Sequence, residues 1–236
     1  MNSKSRGTVA LFGGTFDPVH NGHIQSAIEL NKRLLLDELR FLPCHRPVHR
    51  AKPGCNSEQR LAMVTLAVES EFSDSASANG KDAQVTTVRV DDREMQRDGK
   101  SYSIETIEEV RKEIGDEVSL IWVMGTDSFA GFDQWYRWQD FLALAHIVVI
   151  KRPDSFLPTE GAIAELIETS SAKSCDELKQ CSAGLVWFES LKPFPISATA
   201  IRHDIAAGKT VASHNRLGEH VPAVVLNYIE EHQLYR

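Results

Sequence analysis

The sequence is short of positive charge and of long apolar runs. Its 236 residues carry 26 Lys and Arg against 33 Asp and Glu, which gives a formal net charge of −7. Proteins that bind nucleic acids through the phosphates normally carry a basic surplus, so this balance argues against a nucleic-acid partner. The longest apolar candidate, residues 141–150, is interrupted by His146 and is far shorter than the roughly 20 residues that span a bilayer. No membrane partner is therefore expected.

Paired cysteines and a secretion signal are also missing. The four cysteines include no C-x-x-C pair, and the apolar stretch Val9 to Phe12 ends at two glycines. That stretch is too short for the core of a signal peptide. Free thiols are typical of a reducing compartment, so a cytoplasmic location is expected. The composition, 42% hydrophobic and 25% charged, is that of an ordinary globular chain.

Short apolar runs alternate with helical patterns about six times along the chain. Strands are predicted over residues 8–12, 39–42, 85–90, 118–124, 146–151 and 185–188. Helices are predicted from about Gly22, from Asn56-Ser57 to about Glu69, and over residues 103–114, 139–144, 158–170, 197–207 and 221–232. Gln59 stands three residues after Asn56, which predicts a capping box.

This alternation predicts one α/β domain over residues 1–236. Its sheet should be doubly wound, Rossmann-like and mostly parallel, with helices on both faces. The small polar stretch 73–84 is interpreted as an exposed loop insertion, because the alternation resumes after it. Ligands of such sheets bind beyond the carboxyl ends of the strands. Chemistry is therefore expected just after predicted strands.

The first such position is the segment 13–23, GGTFDPVHNGH. Two glycines let the backbone approach a bulky anion, and a helix N-terminus behind them offers free N–H groups. His20 and His23 are three residues apart at the start of the helix, so both imidazoles can face one point. The segment is neither G-x-G-x-x-G nor a P-loop, which disfavours a dinucleotide oxidoreductase or a kinase. The alternative is a turn with two surface histidines.

The pattern G-x-F-x-P-x-H-x-G-H within residues 14–23 resembles the signature of the nucleotidyltransferase α/β phosphodiesterase superfamily. Residues 196–202, ISATAIR, resemble that superfamily's second signature, I-S-x-T-x-x-R. Ser197 is predicted to cap a helix, and Arg202 stands about one turn into it, within reach of phosphate oxygens. The heptapeptide alone is a weak signal, but the two signatures together are specific.

Three further segments resemble the bacterial nicotinate-nucleotide adenylyltransferases within that superfamily. These are residues 98–106 (DGKSYSIET), residues 125–129 (GTDSF) with the W-Y pair 135–136, and the loop 43–50 (PCHRPVHR). Ser103 replaces a threonine of that family and keeps the hydroxyl. Val48 replaces the second proline of its P-P-H sequence. The resemblance extends over nearly the whole chain.

The resemblance implies transfer of AMP from ATP to nicotinate mononucleotide, which yields nicotinate adenine dinucleotide and pyrophosphate in NAD biosynthesis. Mg²⁺ is expected to arrive with ATP, with no separate metal site on the protein. Catalytic roles are implied for His20, His23 and Arg202. ATP binding is implied for Gly13, Gly14, Thr15, Phe16, Gly125, Asp127, Arg152, Ile196, Ser197 and Thr199. Binding of nicotinate mononucleotide is implied for His49, Arg50, Tyr102, Ser103, Trp135 and Tyr136.

Several of these residues have a plainer interpretation. Trp135 offers a face for stacking on the nicotinate ring, but by composition alone it would pack in the core, as Trp138 is expected to. The basic loop around Arg46, Arg50 and Lys52 would capture phosphate or would simply be solvated. Asp127 would bind a ribose, cap a helix, or do both. Arg152 would bind nucleotide or pair with Asp154.

Two other functions compete with this one. The chain could be another adenylyltransferase or cytidylyltransferase of the superfamily, such as a phosphopantetheine adenylyltransferase. It could also be a nucleotide-binding sensor that has lost activity, although intact His20, His23 and Arg202 speak against that. The oligomeric state stays open, and a homo-oligomer is compatible with the sequence.

Overall fold

The computed structural model describes residues 7–47, 53–73, 86–151, 156–209 and 215–236. Its strands are β1 (Thr8–Gly14), β2 (Glu38–Pro43), β3 (Thr87–Val90), β4 (Ser119–Gly125), β5 (His146–Ile150) and β6 (Val186–Glu189). Its helices are α1 (Asn21–Leu34), α2 (Ser57–Phe72), α3 (Ser103–Ile114), α4 (Thr126–Ala130), α5 (Phe141–Leu144), α6 (Ala162–Ser170), α7 (Ala198–Ala206), α8 (Asn215–His220) and α9 (Ala223–Glu231). None of the helices described is both long and apolar enough to cross a bilayer.

The strands form one sheet of six in the order β3-β2-β1-β4-β5-β6. β1 pairs in parallel with β4, in a register that sets Thr8 opposite Ser119 and Phe12 opposite Val123. β4 pairs in parallel with β5, and β5 with β6. The order reverses direction at β1, where open α/β sheets bind their ligands. The predicted doubly wound α/β fold is confirmed.

The burial of the strands explains their positions in the sheet. Every residue of β4 from Ser119 to Met124 is buried, and so are the first five residues of β1. Central strands of a parallel sheet are covered on both faces, so they need apolar residues at successive positions. β3 has no fully buried residue, as suits a strand at the edge of the sheet.

The described residues group into two compact units. The first takes its residues from Met1–Gly13, Leu30–Arg40 and Tyr102–Pro193, and the second from Gly14–Glu29, Phe41–Ser101 and Phe194–Arg236. In the first unit α3 packs against α5, and in the second α2 packs against α9. The organisation as one domain over residues 1–236 stays a prediction.

Most predicted elements are found within a few residues of their expected bounds. The capping box of α2 is confirmed: Asn56 Oδ1 accepts from Gln59 N at 2.8 Å, and Gln59 Oε1 accepts from Asn56 N at 3.1 Å. The stretch 158–170 was predicted as helical throughout, but α6 begins only at Ala162, after Gly161 at φ +82°. The proposed insertion lies, apart from Ser73, outside the described residues.

The first unit contains a buried histidine whose burial makes the free energy of unfolding depend on pH. His146 is fully buried; its Nδ1 accepts from Leu185 N at 3.1 Å and its Nε2 lies 3.1 Å from the carbonyl oxygen of Cys181. Burial, which disfavours the charged ring, lowers the pKa of His146. As pH falls through the ordinary value of about 6.5, the unfolded chain therefore takes up a proton that the folded chain does not bind.

We expect the free energy of unfolding to fall as pH falls below that value, and to fall less steeply in His146→Gln, which has no titrating ring. Urea denaturation at a series of pH values measures this. His203→Gln is the matched control, because the side chain of His203 is 82% exposed. Identical pH slopes for the wild type and His146→Gln would contradict the assignment.

Candidate active site

The turn after β1 is shaped by close contact between a glycine and a buried phenylalanine. Phe16 has φ +50°, which is uncommon for a residue other than glycine, and its side chain is 2% exposed. A Cβ added at Gly14 would lie 2.9 Å from Phe16 Cζ. Only glycine fits at position 14 without moving the ring. Thr15, half-buried between them, completes the turn.

The two histidines that follow lie together at the start of α1. Their rings stack with centroids 3.7 Å apart and planes at 22°. The carbonyl oxygen of His20 accepts from His23 N at 2.8 Å, and His20 N donates to His23 Nδ1 at 3.2 Å. Because Nδ1 of His23 accepts, a neutral His23 ring carries its proton on Nε2. The structure thus confirms the juxtaposition that the spacing of the histidines predicted.

The second signature forms the beginning of α7. Ser197 Oγ accepts from Ala200 N at 3.2 Å, which confirms the predicted cap. Ile196 is half-buried, whereas Thr199 is exposed. Arg202 donates from Nη1 to the carbonyl oxygen of Asp17 at 2.6 Å and from Nη2 to Thr199 Oγ1 at 3.4 Å. Tertiary packing therefore joins the two signatures through Asp17, a residue to which the sequence analysis assigned no role.

A buried arginine, Arg60, supports the same turn and was also missed. Its side chain is 1% exposed and donates to the carbonyl oxygens of Thr15 at 2.7 Å, Cys44 at 2.6 Å and His45 at 2.9 Å. One guanidinium thus ties the turn after β1 to the loop after β2. A signal was available in the sequence, because Arg60 stands at helical spacing from Met63 and lies with it on the buried face of α2.

The basic loop after β2 is described only in part. Arg46 is exposed, and its backbone exchanges hydrogen bonds with Ser101: Arg46 N donates to Ser101 Oγ at 3.2 Å, and Ser101 N to the Arg46 carbonyl oxygen at 3.3 Å. The predicted site residues His49 and Arg50 lie outside the described residues, as does Arg152.

The first unit holds the residues expected to recognise nicotinate. Tyr102 precedes α3 and its ring lies 4.6 Å from that of Tyr136, while Ser103 is the first residue of the helix, as predicted. Trp135 is half-buried and meets Trp122 edge-on, with centroids 6.5 Å apart at 86°. Trp135 is therefore packed in an aromatic cluster, which supports the plainer interpretation without excluding a stacking face.

Three other predicted residues belong to this unit. A Cβ at Gly13 would lie 3.1 Å from the Trp122 ring, so the end of β1 approaches that ring closely. Gly125 ends β4 and occupies the cap position of α4. Asp127 is exposed in the first turn of α4 and is not its cap, so the capping interpretation of Asp127 is wrong. Trp138 packs edge-on against Phe132, as expected for a structural residue.

The two cysteines described in the second unit, Cys44 and Cys55, have thiols with a raised pKa. Burial is the main cause that raises the pKa of Cys44 to about 12 and that of Cys55 to about 12. Both thiols stay protonated near neutral pH, and the reactive form of cysteine is the thiolate.

Sequence comparison with known proteins identifies the family. A sequence model of the cytidylyltransferase-like family matches residues 11–204. A probable nicotinate-nucleotide adenylyltransferase of Cellvibrio japonicus is 39% identical over 98% of this chain and 100% of the relative. One from Pseudomonas aeruginosa strain UCBPP-PA14 is 42% identical over 97% of each chain.

Solved structures share the fold. The Plasmodium falciparum nicotinic acid mononucleotide adenylyltransferase complexed with NaAD gives a TM-score of 0.68 at 12% identity, over 97% of each chain. A putative nicotinate-nucleotide adenylyltransferase from Vibrio parahaemolyticus gives 0.58 at 15% identity, over 98% of this chain and 96% of that one. On the identity and coverage of its relatives, this chain belongs to the nicotinate-nucleotide adenylyltransferases, within the cytidylyltransferase-like family.

Proposed function

We propose that the chain transfers the adenylyl group of ATP to nicotinate mononucleotide, releasing pyrophosphate and forming nicotinate adenine dinucleotide for NAD biosynthesis. The observation that carries this proposal is the joining of the two signatures in one unit, where Arg202 of the second donates to Asp17 of the first. The names of the close relatives support the choice of substrates.

The proposed reaction needs charge stabilisation more than proton transfer. The 5′-phosphate of nicotinate mononucleotide attacks the α-phosphorus of ATP in line, a new P–O bond forms, and the bond to pyrophosphate breaks. The attacking phosphate is an anion at neutral pH and requires no general base. Catalysis then consists of positioning the two reactants and of placing donors where negative charge grows.

The second unit supplies such donors. We assign this role to His20, His23 and Arg202, with the turn Gly14–Thr15–Phe16 and the beginning of α1 receiving phosphate groups of ATP. A donor that is already oriented stabilises the transition state without the cost of reorganising at the moment of reaction. The His20–His23 stack and the hydrogen bonds of Arg202 meet that condition. Ile196, Ser197 and Thr199 are assigned to ATP with them.

Mg²⁺ is proposed to enter as part of the ATP substrate. It prefers phosphate and carboxylate oxygens and keeps several waters. Asp17, the carboxylate within the first signature, is 6% exposed and already accepts from Gly54 N and from Tyr235 OH. The donor set therefore favours a metal held by the phosphates, where it would neutralise the charge on the leaving pyrophosphate.

Discrimination between nicotinate and nicotinamide is assigned to the first unit. The Ser103 hydroxyl and the backbone N–H groups of the first turn of α3 are hydrogen-bond donors, which suit a carboxylate. Trp135, Tyr102 and Tyr136 are proposed to hold the ring by stacking. Nicotinamide mononucleotide would place an NH₂ group, itself a donor, against these donors of the protein. The protein donors would then lack an acceptor, which is how a polar site rejects an analogue. Gly125 and Asp127 are assigned to ATP, and Asp127 to its ribose.

The four cysteines are all free thiols. This pattern supports a reducing compartment, and we propose the cytoplasm.

Pyrophosphate release tests the proposed function. The purified protein is mixed with ATP, Mg²⁺ and one acceptor at a time: nicotinate mononucleotide, nicotinamide mononucleotide or phosphopantetheine. We expect rapid turnover with nicotinate mononucleotide and at least about tenfold lower kcat/KM with the amide. Turnover only with the amide would contradict the specificity argument. Turnover only with phosphopantetheine would identify a phosphopantetheine adenylyltransferase. No turnover with any acceptor would favour a nucleotide-binding sensor.

A further inference from the structure

A buried carboxylate in the second unit accepts hydrogen bonds from two distant parts of the chain. Asp17 Oδ2 accepts from Gly54 N at 2.8 Å, and Oδ1 accepts from Tyr235 OH at 2.9 Å and from Cys55 Sγ at 3.3 Å. Tyr235 is the penultimate residue of the sequence, 218 positions away from Asp17. The reaction proposed above gives Tyr235 no role, so the hydroxyl and its buried acceptor call for an explanation.

The same carboxylate faces the proposed catalytic arginine. Arg202 Nη1 lies 3.5 Å from Asp17 Oδ2 and donates to the main-chain oxygen of the same residue at 2.6 Å. The side chain of Arg202 is 32% exposed, whereas that of Asp17 is 7% exposed. A partly exposed arginine is thus held at one end by a rigid, buried acceptor. An arginine side chain loses rotamer entropy when it is ordered, so these contacts favour a preorganised guanidinium.

Packing around Gly54 shows how closely Tyr235 and Arg202 approach. A Cβ added at Gly54 would lie 2.9 Å from Tyr235 Cε1 and 3.2 Å from Arg202 Cδ. Both side chains therefore rest against the backbone that donates to Asp17. The phenol ring and the arginine stem therefore pack against the same glycine.

The end of the chain is held in place for this contact. Leu234 is buried, and its N donates to the carbonyl oxygen of Ile229 at 3.0 Å, so the segment after α9 folds back on the helix. Burial is the main cause that raises the pKa of Tyr235, which keeps its hydroxyl protonated and able to donate. Tyr235 is accordingly protonated near neutral pH and donates to Asp17.

We propose that Tyr235 is a positioning residue, which acts through Asp17 to orient the guanidinium of Arg202 for the phosphate groups of the substrates. Asp17 links the two residues. Its carboxylate is held by hydrogen bonds from Tyr235, Gly54 and Cys55, while its main-chain oxygen and Oδ2 both lie against Nη1 of Arg202. Tyr235 itself touches no reacting atom. The inference rests on the proposed function, because it assigns Arg202 to the transfer reaction.

The test is a double-mutant cycle in kcat. Tyr235→Phe removes the hydroxyl and keeps the ring that packs on Gly54. We expect kcat for nicotinate mononucleotide and ATP to fall about tenfold in Tyr235→Phe, with little change in KM. In a chain that already carries Arg202→Ala, Tyr235→Phe should change kcat less than about twofold. The arginine that Tyr235 positions is then absent, so the effects of the two substitutions do not add.

Tyr228→Phe is the matched control. Tyr228 lies in α9, and its ring contacts that of His232 at a tilt of 39°, with centroids 4.1 Å apart. We expect its kcat to equal that of the wild type. Melting temperatures are recorded for every variant. If Tyr235→Phe does not fold, Asp17→Asn replaces it in the cycle, since it removes the charge and retains the main-chain acceptor; its effect should likewise vanish when Arg202 is absent.

Two outcomes would overturn the inference while the proposed function stands: an unchanged kcat in Tyr235→Phe, or an equal fold-loss with and without Arg202. The second result would assign a structural role that does not act through Arg202. A wild-type protein that releases no pyrophosphate would instead contradict the proposed function itself, and the positioning role with it.

Discussion

Replacing His23 by alanine is expected to lower kcat by roughly 10²–10³-fold, with little change in KM for ATP or nicotinate mononucleotide. The effect falls on kcat because the imidazole stabilises the transition state, in which negative charge grows on the transferred phosphoryl group, more than it stabilises the bound substrates. The ring is held for that purpose: Phe16 contacts it edge-on with centroids 5.0 Å apart, and His20 stacks on it. Steady-state kinetics of pyrophosphate release measures the change.

His23→Gln tests whether the role of His23 is hydrogen-bond donation from Nε2. With Nδ1 of His23 accepting from His20 N, the hydrogen on Nε2 is the one available for donation in the neutral ring. The amide nitrogen of glutamine is placed much like Nε2, so His23→Gln should recover part of the kcat that alanine loses. His203→Ala, a change at an exposed histidine of α7, serves as the control and should leave kcat unchanged. An unchanged kcat in His23→Ala would remove His23 from the mechanism.

Replacing Arg60 by methionine is expected to lower the free energy of unfolding by about 3 kcal/mol or more, because three carbonyl oxygens lose their donor and each unsatisfied buried group costs roughly 1–3 kcal/mol. Methionine keeps the unbranched stem and removes only the guanidinium. The midpoint of urea denaturation, with its slope, measures the loss. Because Thr15 belongs to the turn that is assigned to ATP, the KM for ATP should rise as well.

Glu69→Met on the exposed side of α2 is the control for Arg60→Met. It introduces the same side chain into the same helix, and surface changes of this kind usually stay within about 0.5 kcal/mol. Equal denaturation midpoints for the wild type and Arg60→Met would show that water or other donors replace the guanidinium without cost.

Local sequence signals predicted most of the elements. α3 spans residues 103–114 as expected, because its apolar positions recur at helical spacing and a glycine follows its last residue. The capping box of α2 follows from two residues three apart. α4 was not predicted, because five residues are too few to show a helical period. The late start of α6 depends on Gly161, whose positive φ ends the preceding irregular segment.

The sequence by itself determined the fold class, the family and the pair of histidines at the start of α1. Each of these depends on short local patterns, in which spacing decides which side chains share a face or a turn, and on the order of those patterns along the chain. The net charge of −7 indicated only that positive groups had to act locally, and Arg60 and Arg202 in the second unit are such groups.

Only the tertiary structure decided the partners of those groups. Asp17 meets Arg202 across 185 positions and Tyr235 across 218, and Arg60 reaches carbonyl oxygens in two separate loops. No local pattern encodes such contacts, since they depend on how buried elements pack and on the need of each buried polar group for a partner. Candidate residues for the chemistry could be named from the sequence, whereas the residues that contact them became visible only in the folded structure.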